Sequence, residues 1–192
     1  MDVGALTHTE PVRSPEFALF DTPVGRCAVV WGEQGIVGFQ LPEGSDELTR
    51  ERNAQLFPDA TEGDPDSSSA ARRAIDGVVS LLAGEPDPLT DVQLDLRAVP
   101  DFDSRVYAVT RGIEPGATLT YGEVAARIGS PDAAQAVGQA LGRNPIPILV
   151  PCHRVLAAGG KTGGFSAPGG AVTKRALLTI ERAPGFDEPT LF

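Results

Sequence analysis

The sequence predicts an α+β protein in which a small N-terminal antiparallel-sheet domain is followed by a mostly helical C-terminal domain with a helix-turn-helix. Three observations carry this expectation. Residues 17–40, FALFDTPVGRCAVVWGEQGIVGFQ, are β-rich runs broken by turn signals; residues 44–84 carry helical periodicity; and residues 100–144 read as a series of helices with a tight Gly129-Ser-Pro turn between the last two. The boundaries expected are a flexible tail over 1–15, an α+β domain over 16–98, a C-terminal domain with the helix-turn-helix over 99–186, and a tail over 187–192.

Each element follows from local chemistry. Thr22-Pro-Val-Gly25 and Gly32-Glu-Gln-Gly35 are turn sequences, so the runs they join fold back as an antiparallel meander. GSDELTRERNAQLF opens on Ser and Asp and repeats apolar residues at helical intervals, and DPDSSSAARRAIDGVVSLLAGEPDP is a second helix opened by Asp or Ser and closed by Gly84. VQLDLRAV alternates as a strand. From Pro100 onward the pattern gives an amphipathic helix, a Pro-Gly turn, and a helix starting near Tyr121. SPDAAQAVGQALGRN then places Ser130 as N-cap, Pro131 at the first helical position and Asp132 in the first turn, and stops at Gly142-Arg-Asn144. Two short helices across a tight turn have the layout of a helix-turn-helix, whose second helix reads DNA.

Composition narrows the function. Hydrophobic residues at 41% and charged residues at 22% are ordinary for a globular chain. The longest apolar runs, such as Ile146–Val150, are far short of the roughly 18 residues a bilayer span needs. The N-terminal MDVGALTHTEPVRSPEF lacks a basic start and apolar core, so a cytoplasmic location is expected, on the nucleoid if the source is bacterial. The net charge of −10 is uneven: residues 1–98 hold 7 basic against 18 acidic side chains, residues 99–192 hold 9 against 8. The second half can therefore gather Arg127, Arg143, Arg154, Lys174 and Arg175 on one face, and the acidity does not exclude DNA.

Cys27 and Cys152 are far apart and expected free, with Cys27 a buried strand residue. Besides them the chain has only His8 and His153, so no metal site and no cofactor are expected. The chemistry concentrates in IPILVPCHRVL, residues 146–156, where an apolar run ends in a thiol, an imidazole and a guanidinium. A catalytic thiol needs a group that takes its proton. Adjacent side chains of an extended chain point apart, so Cys152 and His153 need a bridging water or a bend, and Pro147 and Pro151, which bracket the apolar run read as a strand, are placed to supply that bend. Glu181, in AVTKRALLTIERA, is the nearest acid able to orient the imidazole. A Cys-His pair of this kind also fits a thiol hydrolase, and the helix-turn-helix by itself a DNA-binding regulator without chemistry.

Through NPIPILVPCHRVL, through TYGEVAARIGSPDAAQAVGQALGRN before it and through GGKTGGFSAPGGAVTKRALLTIE after it, the chain resembles the O6-alkylguanine-DNA alkyltransferases, also called methylated-DNA-protein-cysteine methyltransferases. The resemblance implies a ribonuclease-H-like N-terminal domain and irreversible, single-turnover transfer of an alkyl group from O6-alkylguanine, with O4-alkylthymine as a second candidate lesion, in double-stranded DNA to Cys152. It implies a base flipped out of the duplex, no cofactor, and action as a monomer. By the same resemblance His153 relays the thiol proton through a water, Glu181 holds the imidazole, Asn144 braces the turn beneath the thiol, and Tyr121 offers its phenol to the purine. Phe165 and the Ser166 backbone would line the guanine pocket, and Arg154 would tie the active-site loop to its surroundings. Gly138, Arg143, Arg154, Val155 and Lys174 fall with Gln135 in the segments that meet substrate and DNA. At two positions the chain departs from the family pattern. Phe165 replaces a common Tyr, and Gln135 stands where an Arg commonly enters the base stack in place of the extruded nucleotide. An alkyltransferase-like lesion binder without efficient transfer is the alternative reading, though such relatives lack the nucleophile.

Overall fold

The structure, a computed structural model, describes residues 14–186, so the tails expected at 1–15 and 187–192 lie almost wholly outside the described residues. Its architecture is α+β. Strands β1 (Glu16–Thr22), β2 (Gly25–Gly32) and β3 (Gly35–Gln40) form the expected meander, with β1 antiparallel to β2 and β2 to β3. The first turn is held by Thr22, whose hydroxyl donates to the Gly25 carbonyl at 2.6 Å, and by Gly25 at φ +122°, a conformation that favours glycine. Strand β2 is buried along almost its whole length, and helices α1 (Asp46–Leu56) and α2 (Ser69–Leu82) both pack on it. A strand covered on both faces reads as a continuous apolar run, which GRCAVVWG does.

The sheet is mixed where an antiparallel one was expected. A two-residue strand, β4 (Thr61–Glu62), pairs parallel with β1 at its outer edge, giving the order β3-β2-β1-β4. The strand expected over VQLDLRAV forms one bridge, Leu94 to Ile36, and goes no further. Asp95 stops it: its carboxylate turns back to accept from the Arg97 backbone N–H and holds the Arg97 guanidinium at 2.7 Å. A side chain bonded to its own backbone competes with the ladder.

Helix α2 begins at the Ser68 cap, which accepts from the Ala71 N–H, and buries Ala71, Ala74, Ile75, Val78, Leu81 and Leu82 in one stripe at helical spacing. After the linker, α3 (Asp101–Arg111) buries Val106 and Tyr107, and the Tyr107 hydroxyl donates to the Ala140 carbonyl at 2.9 Å. A two-residue strand, β5 (Leu119–Thr120), leads into α4 (Tyr121–Arg127), where Thr120 and Glu123 form a reciprocal capping box. That cap fixes Tyr121 as the first residue of α4. Helix α5 (Ala134–Gly142) begins later than its sequence suggests. Ser130 does not cap it: residues 130–133 form a turn of their own, with the Ala133 N–H on the Ser130 carbonyl. The chain closes with β6 (Val155–Leu156), parallel to β5, and α6 (Ala171–Ile180).

One contiguous buried cluster runs from Ala18 and Val29 of the sheet through Ile75 and Val106 to Cys152 and Leu177. The edge strand β3 also bonds the C-terminal part directly, since the Phe39 N–H donates to the Pro145 carbonyl at 2.9 Å. No helix among the described residues is long and apolar enough to cross a membrane.

Candidate active site

The apolar run 146–150, read as a strand, is instead a tight turn. Pro147 and Val150 form a single bridge, and Ile148 takes φ +73°, a left-handed conformation that is costly for a β-branched residue. Such strain persists only where the surroundings over-determine it. Here Asn144 does so from the end of α5: its amide donates to the Val150 carbonyl at 2.9 Å while its carbonyl oxygen accepts from the Ile146 N–H at 3.0 Å. Both ends of the turn are thus tied to one side chain. The chain leaves the turn through Pro151 into a 3-10 turn at Cys152–Arg154, and this supplies the bend that a thiol and imidazole on neighbouring residues require.

His153 is fully buried, and its Nε2 lies 2.8 Å from Glu181 Oε1. Glu181 caps the C-terminus of α6 and serves two partners. Arg154 reaches both of its oxygens, Nε to Oε2 at 2.9 Å and Nη2 to Oε1 at 2.8 Å, and its remaining Nη1 donates to the Ile113 carbonyl. The Gly116 N–H adds a longer contact to Oε2 at 3.4 Å. Burial works to raise the Glu181 pKa, but the bonds from His153 and Arg154 outweigh it and hold the carboxyl down to about 2. Burial lowers the His153 pKa despite the carboxylate beside it, so the imidazole is neutral. With Glu181 ionised by its Arg154 fork, Nε2 carries the proton and donates it to the carboxylate. Nδ1 is then a bare acceptor, and it has no hydrogen-bond partner among the described residues.

Cys152 lines a pocket of about 410 Å³ with Tyr121, Gly138, Leu141, Gly142, Gly164, Phe165 and Ser166. Burial raises the thiol's pKa, while Asn144, Lys174 and the local backbone N–H groups favour the thiolate. Burial and the Cys152 thiol likewise raise the Tyr121 phenol, so both groups carry their protons at rest. The Gly-rich wall comes within reach of the ring: a Cβ on Gly163, at φ +67°, would stand 3.2 Å from the Tyr121 hydroxyl. Cys27 is buried in β2, its pKa pushed up to about 12 by desolvation, and is an inert strand residue as expected.

The residues expected to catalyse therefore come together, and several expected to meet DNA do not. Arg154 and Val155 are buried, the guanidinium spent on Glu181. Lys174 is buried too: Nζ donates to the Val155 carbonyl at 2.6 Å and the Gly164 carbonyl at 3.3 Å, and stands 5.8 Å from the Tyr121 ring centroid. It is a strut behind the pocket, and the basic face that was to include it shrinks accordingly. Arg143 forks onto the buried Asp103 at 3.1 and 3.0 Å, joining α5 to α3. On α5 the exposed side chains are Gln135 and Gln139, with Gly138 half-buried against the Tyr121 ring. Sequence reasoning placed the Pro115-Gly116 turn but missed its contact with Glu181, and it missed the inward direction of Lys174. A signal for the second existed, since 174, 177, 178 and 181 share one face of α6 and Leu177 and Leu178 mark that face as buried.

A buried thiol in a pocket bordered by α5, the second of two short helices across a tight turn, with a carboxylate-fixed imidazole on the next residue, is the arrangement expected of a protein that presents a cysteine to DNA. Residues 101–183 match the family model for the DNA-binding domain of 6-O-methylguanine DNA methyltransferase. The chain is 46% identical to a methylated-DNA–protein-cysteine methyltransferase of Mycobacterium tuberculosis, over 92% of this chain and 98% of that one. It is 33% identical to one from Methanothermobacter thermautotrophicus, over 83% and 81%. A crystal structure of Mycobacterium tuberculosis OGT in complex with DNA superposes with a TM-score of 0.68 at 36% identity, covering 89% of this chain and 96% of that one. The chain belongs to the methylated-DNA–protein-cysteine methyltransferase family.

Lys174 gives the site a measurable signature. Burial lowers its pKa to about 8, whereas in the unfolded chain it keeps its proton to about 10.4. Between those values the unfolded state binds more protons, so this residue makes stability rise with pH. In urea titrations on a Cys152→Ala background, which removes thiol ionisation, the parent is expected to gain on the order of 2 kcal/mol over its Lys174→Met derivative between pH 7.5 and 10. Parallel stability curves would show that Lys174 titrates as an exposed amine.

Proposed function

We propose that the protein repairs DNA by direct reversal, moving the alkyl group of O6-alkylguanine irreversibly onto Cys152 in a single turnover. The observation that supports this reading is the buried pair in which Glu181 takes His153 Nε2 and leaves Nδ1 without a partner among the described residues, on the residue that follows the thiol. A water carries the Sγ proton to Nδ1, and the imidazolium is stabilised by Glu181. The thiolate attacks the saturated carbon in line with the C–O6 bond, the S–C bond forms as C–O6 breaks, and the guanine anion released becomes neutral by taking up one proton at a ring nitrogen, the count closing when the His153 imidazolium gives up the proton it received from Sγ. Tyr121 donates its hydroxyl hydrogen bond to the departing purine, Phe165 packs against its ring, and the Ser166 backbone meets its oxygen. Asn144 acts on the turn beneath the thiol. Arg154 and Lys174 position, the first through Glu181 and the second through the Tyr121 ring and the Gly164 wall.

The substrate is double-stranded DNA, with α5 and its Gly138 and Gln135 against the duplex, the target nucleotide rotated into the Cys152 pocket, and no cofactor consumed. O4-alkylthymine is a possible second lesion. In this reading residues 99–186 form the alkyl-transfer and DNA-binding unit and residues 16–98 the support that braces its turn, the whole acting as a cytoplasmic, nucleoid-associated monomer. An intact-mass measurement after incubation with an O6-methylguanine oligonucleotide is expected to show one added methyl group and no more. Cys152→Ala is expected to show none. Methyl uptake by that variant, at Cys27 for instance, would refute the assignment.

Gln135 makes base extrusion the weak step. A long cation in the vacated stack offsets the cost of flipping, and a shorter neutral amide does so poorly, by roughly 1 kcal/mol or more. Arg143, the first candidate to substitute for that cation, is tied to Asp103. Gln135→Arg is expected to accelerate transfer from duplex DNA several-fold and to leave the rate on free O6-benzylguanine unchanged. An equal gain on both substrates would place the effect of position 135 in the pocket and not in flipping.

A further inference from the structure

Helix α3 buries an acid that the transfer chemistry does not use. Asp103 is 3% exposed, and its carboxylate is forked by one cation: Arg143 Nε donates to Oδ2 at 3.1 Å and Nη2 to Oδ1 at 3.0 Å. The arginine is the exposed partner, its side chain 58% open to solvent against 4% for the aspartate. A buried carboxylate is costly to desolvate, and this one spends its charge on the residue that caps the C-terminus of α5, where a cation also suits the helix dipole. One turn along the same face of α3, the Tyr107 hydroxyl donates to the Ala140 carbonyl at 2.9 Å, in the last turn of α5 where carbonyls lack helical partners. Helix α3 therefore grips the end of α5 at two adjacent points.

We infer that Asp103 is a positioning residue for alkyl transfer, acting on the Cys152 thiol through Arg143 and Asn144. The inference rests on Cys152 being the acceptor and adds a residue to its support. The gripped end of α5 carries parts of the site: Leu141 and Gly142 border the Cys152 pocket, and Asn144 follows Arg143 directly in the chain. The Asn144 amide donates to the Val150 carbonyl at 2.9 Å, and the Cys152 N–H donates to that same carbonyl at 2.8 Å. A single oxygen thus couples the clasp to the backbone of the nucleophile, and the Asn144 side chain also favours the thiolate. Without the fork the last turn of α5 keeps only the Tyr107 bond to α3, and Asn144 shifts against the turn it ties. A displacement of about 1 Å transmitted to a reacting centre costs on the order of a hundredfold in rate. The β3 bond to Pro145 still restrains the turn, so the loss here is smaller. Charge alone predicts the reverse: removing the carboxylate leaves the Arg143 cation unbalanced, and nearby positive charge favours a thiolate.

The test compares the full-length protein with Asp103→Asn, which keeps the side chain's shape and removes its charge, and with Arg143→Lys, which keeps the charge and loses the fork. Two quantities are read: the single-turnover rate on a saturating O6-methylguanine duplex, where differences in affinity drop out, and the pH profile of Cys152 alkylation by iodoacetamide. The other titratable groups around the thiol, Tyr107 of α3, Tyr121 of α4, Lys174 of α6 and the adjacent His153, are left in place. Asp103→Asn is expected to slow transfer about tenfold and to move the profile to higher pH, and Arg143→Lys to act in the same direction by a smaller factor. As a control, Arg97→Gln breaks the exposed Arg97–Asp95 pair, which borders one cavity of about 640 Å³ together with Asp103 and Arg143, and is expected to leave both readings unchanged. A folded Asp103→Asn protein with the parent rate would overturn the inference. So would a profile moved to lower pH, the mark of charge without position, or an equal loss in Arg97→Gln. If Asp103→Asn does not fold, Arg143→Lys, changed on an exposed side chain, decides by the same readings. A parent protein that takes up no methyl group would overturn the alkyltransferase reading instead, and the iodoacetamide profiles would still decide the role of Asp103.

Discussion

The buried carboxylate of Glu181 is the group on which the site depends. A bare carboxylate in the interior is costly, and it persists only when its oxygens are bonded and its charge is matched. Arg154 matches the charge with a fork, His153 takes one further bond, and the Pro115-Gly116 turn brings a backbone N–H to the other oxygen. That turn must approach closely: a Cβ on Gly116, which sits at φ +80°, would lie 2.9 Å from the Glu181 carbonyl. Two chain segments, the 3-10 turn of His153 and Arg154 and the Pro115-Gly116 turn, thus converge on one acid at the end of α6, and their convergence sets the tautomer and direction of the His153 imidazole.

The rest of the molecule brings the thiol to that imidazole. Asn144 ties both ends of the strained turn around Ile148, β3 holds Pro145 from the N-terminal side, and Arg143 ties the end of α5 to α3 through Asp103. The N-terminal half therefore contributes support, and its acidic side chains are separate in sequence from the helices α4 and α5. Placing cations inward, as Arg154 and Lys174 are, organises the site at the expense of phosphate attraction. Small residues on α5 suit close approach to a duplex in which sequence is not read.

Much of this was legible in the sequence because the signals are local. Turn dipeptides gave the meander, caps and periodicity gave α1, α2 and α3, and the PCHRV string with its flanks gave the pocket and the relay. What sequence did not give are relations between distant segments. The alternation of VQLDLRAV is a strand signal, yet the Asp95 side chain's bond back to Arg97 ends the ladder after one bridge. Ser130-Pro-Asp has cap chemistry, yet forms a separate turn before α5. The apolar run at 146–150 has strand composition, and only the clasp by Asn144 makes it a turn. The cations counted towards a basic face could be counted but not aimed.

The central claim is that Glu181 makes His153 the base for Cys152. Its most direct test is the pH dependence of Cys152 alkylation by iodoacetamide, compared between the protein and a Glu181→Gln variant whose fold is verified by circular dichroism. The account predicts a rate near neutral pH lower by roughly one to two powers of ten in the variant, with the profile moved to higher pH. A folded Glu181→Gln protein with an unchanged rate and profile would contradict it.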